Sequence, residues 1–392
     1  MSIAELVNAD VFADMVAMRR DLHRHPELSW QEERTAGKIC ARLEALGIPF
    51  RCGVAGFGVV ADIPGRNRGR VIALRADMDA LPVKEETELP FSSSVDGVMH
   101  ACGHDGHTSM LLGAAALLAQ DDDLPATVRL IFQPAEETGR GARAMIEAHA
   151  LDDVAMIFGG HLDRHYAPGM IAVTDGVVNA SSDKFSIEIT GQGGHAARPH
   201  ESVDAVVVGS LMVMAIQTIV SREVNPSHPS VISVGRFDAG TASNVIAGGA
   251  RLEGSIRAQD ARVREHLHTA VRRVAESVAK LHGAAVHVDI DFGTPVLTNH
   301  PEVTELARRA ARQAVGDEHV CAMTTANMGG EDFSYYLEEV PGCYVRFGGQ
   351  IPGKENFPAH SSKFDFDEAA LRAGAAYYYH IAKAAGEEAN AK

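Results

Sequence analysis

The sequence predicts an α/β protein with a mostly parallel central sheet flanked by helices, plus an inserted ferredoxin-like α+β domain. Up to about residue 180, strongly apolar strand patterns alternate with helical patterns, which is typical of a sheet buried on both faces. Between residues 183 and 292 the order becomes β-α-β-β-α-β, the split βαβ arrangement. Alternation of helices and strands then resumes. We therefore expect three segments, at residues 1–180, 181–293 and 294–392.

The elements of the first segment follow from their hydrophobic periodicity. Amphipathic spacing predicts two helices near the N-terminus, and Gly47 ends the second, because glycine favours the position after a helix. Short apolar runs rich in β-branched residues predict strands. In chain order we expect helices at 9–25 and 30–46, strands at 57–63 and 70–77, a helix after 99–110, a strand at 126–132, a helix near 139–149 and a strand at 154–162.

The later segments are assigned in the same way. We expect strands at 183–191, 230–237, 250–258 and 285–292 with helices at 202–220 and 261–282, followed by helices at 301–314, 330–339 and 366–386. The helix at 202–220 is apolar on nearly every side, whereas a helix on one face of a small sheet needs one apolar stripe. Either a second partner, such as another subunit, covers the surplus, or its own domain buries it.

The composition limits the class of protein. A chain of 392 residues is long enough for two domains of roughly 100–200 residues each. A net charge of -16 argues against nucleic acid as a partner, because phosphate binding needs clustered Lys and Arg. We see neither a signal peptide nor a continuous apolar run of about 20 residues, so we expect no membrane partner. The five cysteines are scattered and odd in number, which does not indicate a disulfide framework and favours the cytoplasm.

One loop concentrates possible metal ligands. The stretch "MHACGHDGHTSM", residues 99–110, precedes the apolar run "LLGAAALLA". Cys102 and His104 bring a thiolate and an imidazole to one point at the start of a helix, and Zn²⁺ accepts both. A chance cluster of surface histidines is the alternative. The number and variety of ligand types in this loop favour a metal site.

The segment "IFQPAEETGRGA" is the second candidate. A strand that looks buried runs into Gln133 and Pro134 and then into the carboxylates of Glu136 and Glu137. Adjacent residues on an extended chain point to opposite sides, so one carboxylate could bind a metal while its neighbour acts as a base. A solvated acidic turn is the alternative, but sites form at strand ends of α/β sheets.

Five further side chains carry weaker signals. His161 closes the apolar strand in "FGGHL", where a hydrogen-bonded edge residue is the commoner outcome, and His360 stands in "FPAHSSKFDFD" before the last helix. In the middle segment, His195 follows glycines in "GQGGHAARPH" that would let the backbone approach a ligand closely. Asn244 in "GTASNVIAGG" offers a side-chain donor, and Arg257 has the shape of a carboxylate clamp.

In this order, the segments resemble the two-metal amidohydrolases that include aminoacylases, hippurate hydrolases and auxin-conjugate hydrolases, a branch of the carboxypeptidase G-like superfamily. The resemblance covers essentially the whole chain, and "MHACGHDGH" with "FQPAEE" are its most specific motifs. It implies a discontinuous catalytic domain, 1–180 and 294–392, around an insert at 181–293 that would serve as a lid and dimer contact. It also implies hydrolysis of an N-acyl-L-amino acid to a carboxylic acid and a free amino acid.

The same resemblance implies two divalent metal ions per subunit. Cys102 would bridge them. His104 and His161 would complete one site, and Glu137 and His360 the other. Zn²⁺ is the first expectation, with Mn²⁺, Co²⁺ and Ni²⁺ as alternatives.

The remaining implied roles concern the reaction itself. Glu136 would be the general base, and His195 would donate to the oxyanion, from the same chain or across a dimer interface. Asn244 and Arg257 would hold the carboxylate of the amino acid. The motif "RAD" replaces the His-x-Asp of the wider superfamily, so Asp77 would orient a ligand from outside the ligand set.

The chain departs from its relatives after His161. Where they usually have a compact turn rich in Pro and Gly with an aromatic residue, it reads "HLDRHYAPGM". Asp163, Arg164 and His165 either face solvent or shape the preference for the acyl or leaving group.

Other functions stay open on the sequence alone. A dipeptidase or carboxypeptidase of the same superfamily would need an acidic acceptor for a free amine, and none is identified. A non-catalytic relative that binds metal or ligand has no need of Glu136 beside Glu137. A redox sensor built on Cys102 would need a resolving cysteine in the same loop, which the loop lacks.

Overall fold

A computed structural model describes residues 2–391, which form two compact units. The first unit contains the residues up to Val178, then Thr298–Thr325, then the residues from Asp332 onward. The second contains Asn179–Leu297 and Ala326–Glu331. The chain therefore leaves the first unit, builds the second and returns.

The strands are numbered in chain order. They are β1 (Phe50–Val54), β2 (Gly58–Ile63), β3 (Asn67–Asp77), β4 (Ala126–Gln133), β5 (Val154–Asp163), β6 (Ile171–Ala172), β7 (Gly176–Asn179), β8 (Ser181–Thr190), β9 (Gly194–His195), β10 (Ser230–Ala239), β11 (Val245–Ile246), β12 (Gly249–Ala258), β13 (Ala285–Asp291), β14 (Leu297–Asn299), β15 (Val320–Cys321) and β16 (Gly342–Gly348).

The α-helices are numbered likewise. They are α1 (Ile3–Leu6), α2 (Ala9–Arg24), α3 (Glu33–Ala45), α4 (His104–Leu118), α5 (Gly141–Glu147), α6 (Ala205–Glu223), α7 (Ala261–Leu281), α8 (Pro301–Val315), α9 (Phe333–Glu339) and α10 (Ala370–Ala391).

The first unit is built on an eight-stranded sheet with the order β1-β2-β4-β3-β5-β16-β6-β15. The central strands β4, β3, β5 and β16 run parallel. β1, β2 and β4 pair antiparallel, as do β16 and β6. The sheet is therefore mixed, with the expected parallel strands at its centre and antiparallel pairs toward its edges. The connection between β1 and β2 is a short turn, and a short turn can join only antiparallel strands.

Burial explains why these residues form the centre of the unit. β4 and β16 are buried along their whole length, as parallel strands covered on both faces should be. Every residue of α4 is buried as well, and α10 and α2 pack against it. The apolar run that follows the ligand loop is thus core. It fixes the start of α4 at the edge of the sheet.

The start of α3 differs from the predicted helix at 30–46. Trp30 has a left-handed φ of 64°, which a helix cannot include, and the helix begins at Glu33 with Glu32 at the N-cap position. The side chain of Glu32 does not cap the helix. The carboxylate of Glu27 does so instead, by accepting the backbone N–H groups of Arg34 and Thr35 at 2.9 and 2.8 Å.

The second unit contains a four-stranded antiparallel sheet with the order β10-β12-β8-β13. Helices α6 and α7 pack on this sheet and enclose a separate apolar core. β9 and β11 form a small ladder in which His195 lies opposite Val245. In chain order the main elements read β8, α6, β10, β12, α7 and β13.

One face of α6 is not covered. Val207, Leu211 and Met214 are 47, 44 and 69% exposed. By length and composition alone α6 is also the one helix among residues 2–391 that could cross a membrane. A single helix of this kind is weak evidence for a span, because core helices pass the same test.

A disulfide joins Cys40 in α3 to Cys52 in β1. The scattered cysteines had not indicated such a pair. It is local, since the two residues are 12 positions apart in the chain, and it ties an edge strand to the helix beside it. Cys102, Cys321 and Cys343 are free thiols.

Candidate metal centre

The candidate ligands meet at the carboxyl ends of the central strands. β3 ends at Asp77, β4 at Gln133 and β5 at Asp163. Neighbouring parallel strands end at the same edge of a sheet, so the residues around these ends lie close together. The loop that leads into α4 brings Cys102 and His104 to the same edge.

Two groups of donor atoms share one thiol. Within each group the ligand atoms all lie within 4.8 Å of one another, and the groups are Cys102, His104 and His161, and Cys102, Glu137 and His360. Sγ of Cys102 lies 3.3 Å from Nε2 of His161, and Nε2 of His360 lies 3.3 Å from Oε2 of Glu137. Ligands at about 2.0–2.3 Å from a tetrahedral ion are separated by similar distances. All five residues predicted as ligands are thus brought together.

Gly103 sets the geometry of the Cys-Gly-His turn. It precedes α4 with a φ of 86°, a left-handed conformation that glycine adopts without strain. A Cβ at this position would lie 3.0 Å from Cδ1 of Leu162. The turn therefore needs glycine for its backbone and for its space, while Cys102 and His104 on either side are buried.

Two buried atoms of the cluster have no hydrogen-bond partner, Nε2 of His104 and Oε1 of Glu137. Buried polar atoms are nearly always hydrogen-bonded in proteins. Nδ1 of His104 lies 2.9 Å from the carbonyl oxygen of Asp79 and 3.1 Å from its Oδ1, and it donates there. In the neutral ring, the form that binds metal, the lone pair is therefore on Nε2. A metal ion would satisfy both orphaned atoms.

His161 is prepared as a neutral ligand. Its Nδ1 donates to the carbonyl oxygen of Leu162 at 2.6 Å, so its Nε2 is left to face Cys102. Burial, together with the nearby His107 and Arg346, holds the pKa of His161 well below its usual value. A neutral imidazole is the form that binds metal.

The second group carries protons that a metal would displace. Hydrogen bonds to Cys102 and Glu137 raise the pKa of His360 to about 10. Burial, with the charge of Glu137, raises the pKa of the Cys102 thiol. Both residues must be deprotonated to act as ligands, so metal binding at this group releases protons.

Glu136 lies beside the ligands but outside both groups. Glu136 and Glu137 stand on a 3₁₀ turn, Glu136–Thr138, rather than on an extended chain. Both carboxylates therefore approach the same point, with Oε2 of Glu136 and Oε1 of Glu137 each 3.9 Å from Nε2 of His104. This corrects the expectation that the two side chains point to opposite sides. It leaves Glu136 within reach of a water molecule at the cluster.

Two carboxylates, Asp77 and Asp79, orient the candidate ligands, whereas the sequence indicated only Asp77. Asp77 lies 2.6 Å from Nδ1 of His107 and accepts a charged hydrogen bond from Arg75. Nε2 of His107 in turn accepts the backbone N–H of Leu162 at 2.9 Å. Asp77 thus orients the strand end that carries His161. Only Asp79 contacts the hydrogen-bonding nitrogen of His104.

Asp79 is the main site residue that the sequence interpretation missed. Its Oδ2 also accepts the backbone N–H of Glu137 at 3.1 Å and the hydroxyl of Ser29 at 2.7 Å. One buried carboxylate therefore holds a ligand of each group. The signal was the spacing in "RADMDALP", where Asp77 and Asp79 alternate at the end of a strand.

Three predicted residues lie in the second unit. His195 accepts the backbone N–H of Ala197 on Nδ1 at 3.0 Å, which leaves an N–H on its exposed Nε2. Asn244 is close by, since its carbonyl oxygen accepts the N–H of Ala196. Arg257 is half-buried in β12 and donates to the carbonyl oxygen of Met328 at 3.0 Å. The ligand cluster itself is built from the first unit alone.

The polar residues after His161 bind one another and a neighbouring loop. Oδ1 of Asp163 lies 2.6 Å from Nδ1 of His165, whose ring is exposed. Arg164 donates to the carbonyl oxygen of Asn356 at 2.7 Å. This last bond ties the segment after His161 to the segment before His360.

Comparison with known proteins gives a consistent result. The sequence model of peptidase family M20/M25/M40 matches residues 73–384. An N-acyl-L-amino acid amidohydrolase of Geobacillus stearothermophilus is 42% identical over 295 residues, which are 75% of this chain and 80% of that protein. Thermostable carboxypeptidase 1 of Saccharolobus solfataricus is 40% identical over 367 residues, 92% of each chain.

A solved structure agrees with these relatives. The YXEP protein of Bacillus subtilis, described as a dinuclear metal-binding peptidase of the M20 family, matches with a TM-score of 0.86 and 37% identity. The match covers 97% of this chain and 99% of that one.

Proposed function

Because the chain belongs to peptidase family M20/M25/M40, we propose that it is a metal-dependent amidohydrolase that hydrolyses N-acyl-L-amino acids. The products are a carboxylic acid and a free amino acid. The relative from Geobacillus stearothermophilus named for this reaction supports the substrate class.

The observation that carries the proposal is the shared thiol. Cys102 belongs to two groups of ligand atoms, and each group also contains an orphaned buried atom, on His104 or on Glu137. Thiolate, imidazole and carboxylate together suit Zn²⁺ best, with Mn²⁺, Co²⁺ and Ni²⁺ as further candidates. Cations held there would supply Lewis-acid polarisation of the amide carbonyl and a lowered pKa for water.

The chain itself supplies the proton transfer. The Glu136 carboxylate takes a proton from the attacking water and passes it to the nitrogen of the leaving amine. The same side chain can serve both steps because it belongs to neither of the two ligand groups that share Cys102. Asp79 keeps His104 and Glu137 in place meanwhile, through the hydrogen bonds described above.

We assign substrate recognition to the second unit. Nε2–H of His195 is an exposed donor suited to a developing oxyanion. Asn244 and Arg257 would hold the carboxylate of the amino acid, for which a guanidinium is a natural partner. These roles require the second unit, a ferredoxin-like lid, to close over the cluster from the same chain or from a partner.

The test is release of free amino acids from a panel of N-acetyl, N-benzoyl and N-indoleacetyl amino acids by the metal-reconstituted protein. Glu136→Gln should keep its metal content and lose activity by about 10²–10⁴-fold. The exposed Glu33→Gln serves as the matched control and should be unaffected. Equal activity of the Glu136→Gln variant would contradict the assigned base. No release from any member of the panel would contradict the substrate class.

A carboxypeptidase is the second candidate, favoured by the 40% identity to the Saccharolobus solfataricus enzyme. Dipeptides and N-blocked peptides in the same panel distinguish the two. If only peptides are cleaved, the protein is a peptidase and its substrates are peptides rather than N-acyl amino acids. Metal binding without any turnover would indicate a non-catalytic relative.

We propose a homodimer formed through the second unit. β10 is an edge strand with unpaired backbone groups, and Val207, Leu211 and Met214 of α6 leave an apolar strip exposed. A second copy fits this face, because an edge strand can pair with its own copy about a two-fold axis. Met214→Glu should give monomers in sedimentation, whereas Leu281→Glu, 78% exposed on α7, should not. A dimer that survives Met214→Glu would contradict this interface.

A further inference from the structure

Glu32 is a fully buried carboxyl that the metal cluster does not use. It occupies the N-cap position of α3, yet its side chain makes no capping hydrogen bond. One of its oxygens, Oε1, accepts the backbone N–H of Ala135 at 2.8 Å instead. Glu27 caps the helix in its place. The carboxyl of Glu32 is therefore available to the backbone of Ala135 rather than to the end of α3.

Ala135 directly precedes the 3₁₀ turn Glu136–Thr138, which carries the proposed general base. Ala135 has a φ of 56°, in the left-handed region that a non-glycine residue adopts only under constraint. Its carbonyl oxygen accepts the hydroxyl of Thr138 at 2.9 Å and the N–H of Gly141 at 3.2 Å. Both polar groups of Ala135 are therefore held, and Glu32 holds the N–H.

The conformation of Ala135 sets the start of the turn that carries Glu136 and Glu137. Glu136 follows directly, and its carboxylate reaches 3.9 Å from Nε2 of His104. The peptide group before Ala135 would lose its buried acceptor without Glu32, and it could then rotate to find another. Rotation there would move Glu136 before it moves the ligands, because Asp79 independently holds the N–H of Glu137.

We propose that Glu32 is a positioning residue for the general base, acting through its hydrogen bond to Ala135. The inference rests on the proposed role of Glu136. It assigns a task to the segment "PELSWQE", from which Ser29 also reaches Asp79 at 2.7 Å. One short loop before α3 thus supports the turn and the ligand-holding carboxylate together.

Gln is the conservative replacement at this position. Burial raises the pKa of Glu32 to about 7, with the charge of Asp79 adding to the effect. A neutral amide oxygen can accept the same N–H, so Glu32→Gln should retain near wild-type kcat. Glu32→Met keeps the volume and removes the acceptor. Glu27→Met is the matched control. It removes a carboxyl of the same loop, but this carboxyl caps α3 and makes no hydrogen bond to the turn Glu136–Thr138.

The experiment compares these three variants as metal-loaded proteins, by kinetics and by amide hydrogen exchange of residues 133–141. Glu32→Met should lower kcat by about 10- to 100-fold with little change in KM or metal content. It should also accelerate exchange in that segment. Glu27→Met should lower the melting temperature and leave kcat and exchange of the segment unchanged. If Met at position 32 prevents folding, Glu32→Asp, which shortens the side chain, replaces it with the same expectations.

Two results would overturn the role of Glu32. One is a Glu32→Met variant with wild-type kcat and unchanged exchange. The other is a Glu32→Gln variant as impaired as Glu32→Met, which would show that the hydrogen bond is not the cause. Hydrogen exchange does not depend on turnover. An inactive wild type with the expected exchange pattern would therefore support the positioning role while contradicting the proposed reaction.

Discussion

Each unit buries a charged cluster, and only one of the two clusters is complete. In the second unit Oδ1 of Asp183 accepts from Arg264 at 2.6 Å and from the N–H of Gly293 at 2.9 Å. Its Oδ2 meets Arg264 at 2.8 Å and His268 at 2.7 Å. In the first unit His104 and Glu137 each keep a buried atom without a hydrogen bond.

The difference separates a structural cluster from a binding site. Both oxygens of Asp183 are satisfied within the protein, by Arg264, His268 and Gly293, so this carboxylate needs no ion. At the first cluster the protein tolerates unsatisfied buried atoms, which destabilise the fold on their own. A cation bound there would satisfy both atoms and so add to the stability of the fold. Four changes should sharpen or break this contrast.

The largest effect is expected from Cys102→Ala. It removes the atom common to both ligand groups, so both ions and essentially all activity should be lost. Metal at a thousandfold excess over its Kd should raise the free energy of unfolding of the wild type by about 4 kcal/mol, and should barely change that of the variant. Metal analysis and thermal unfolding measure the two effects. Retention of both ions would show that the thiol does not bridge them.

Asp183→Asn should act on the other cluster. It breaks a buried charged group with Arg264 and should cost about 3 kcal/mol of stability. The stabilisation gained on adding metal should be the same as in the wild type. Thermal unfolding with and without metal, with metal analysis, provides the measurement. Loss of metal from this variant would mean that the two clusters are coupled.

Asp79→Asn should weaken metal binding by about 10- to 100-fold, because it disturbs the orientation of His104 and of the Glu137 backbone. Asp77→Asn is the comparison, and it should weaken binding less, since Asp77 hydrogen-bonds to His107 and Arg75 and lies 3.8 Å from Nε2 of His104. Competition with a chromophoric chelator gives both affinities. The reverse ranking would show that Asp77 contributes more than Asp79 to holding the ligands.

The smallest effect is a pH dependence. His360 has a pKa of about 10 and the pKa of Cys102 is raised as well, so at neutral pH both hold protons that compete with the metal. Affinity should therefore rise with pH, by about tenfold per unit or more, until the pKa of His360 is passed. The same chelator titration at several pH values tests it. An affinity that does not change with pH would show that these protons are absent.

The parts of the site that are local in sequence could be predicted. Cys102 with His104, and Glu136 with Glu137, are short motifs whose residue types already define the chemistry. The part played by Asp79 beside Asp77 could not, because the direction of each side chain depends on how the chain bends at the end of β3. Glu32 gave no signal at all, since its partner Ala135 is distant in the chain and the contact is to a backbone N–H.

The fold shows the same division. Long apolar elements such as α4 and β4 were identified from their periodicity. The two-residue strands β6 and β15 were not, because so short a segment has no period and exists only through its neighbours. The helix expected from residue 30 begins at Glu33 instead, because Trp30 has a left-handed φ that the spacing of apolar residues does not reveal.

The return of the chain to the first unit has a consequence for biosynthesis. A ribosome synthesises β16 and the residues that lead to His360 only after all residues of the second unit. Until then the group of Cys102, Glu137 and His360 lacks one of its three members. The complete set of candidate ligands can therefore assemble only near the end of translation.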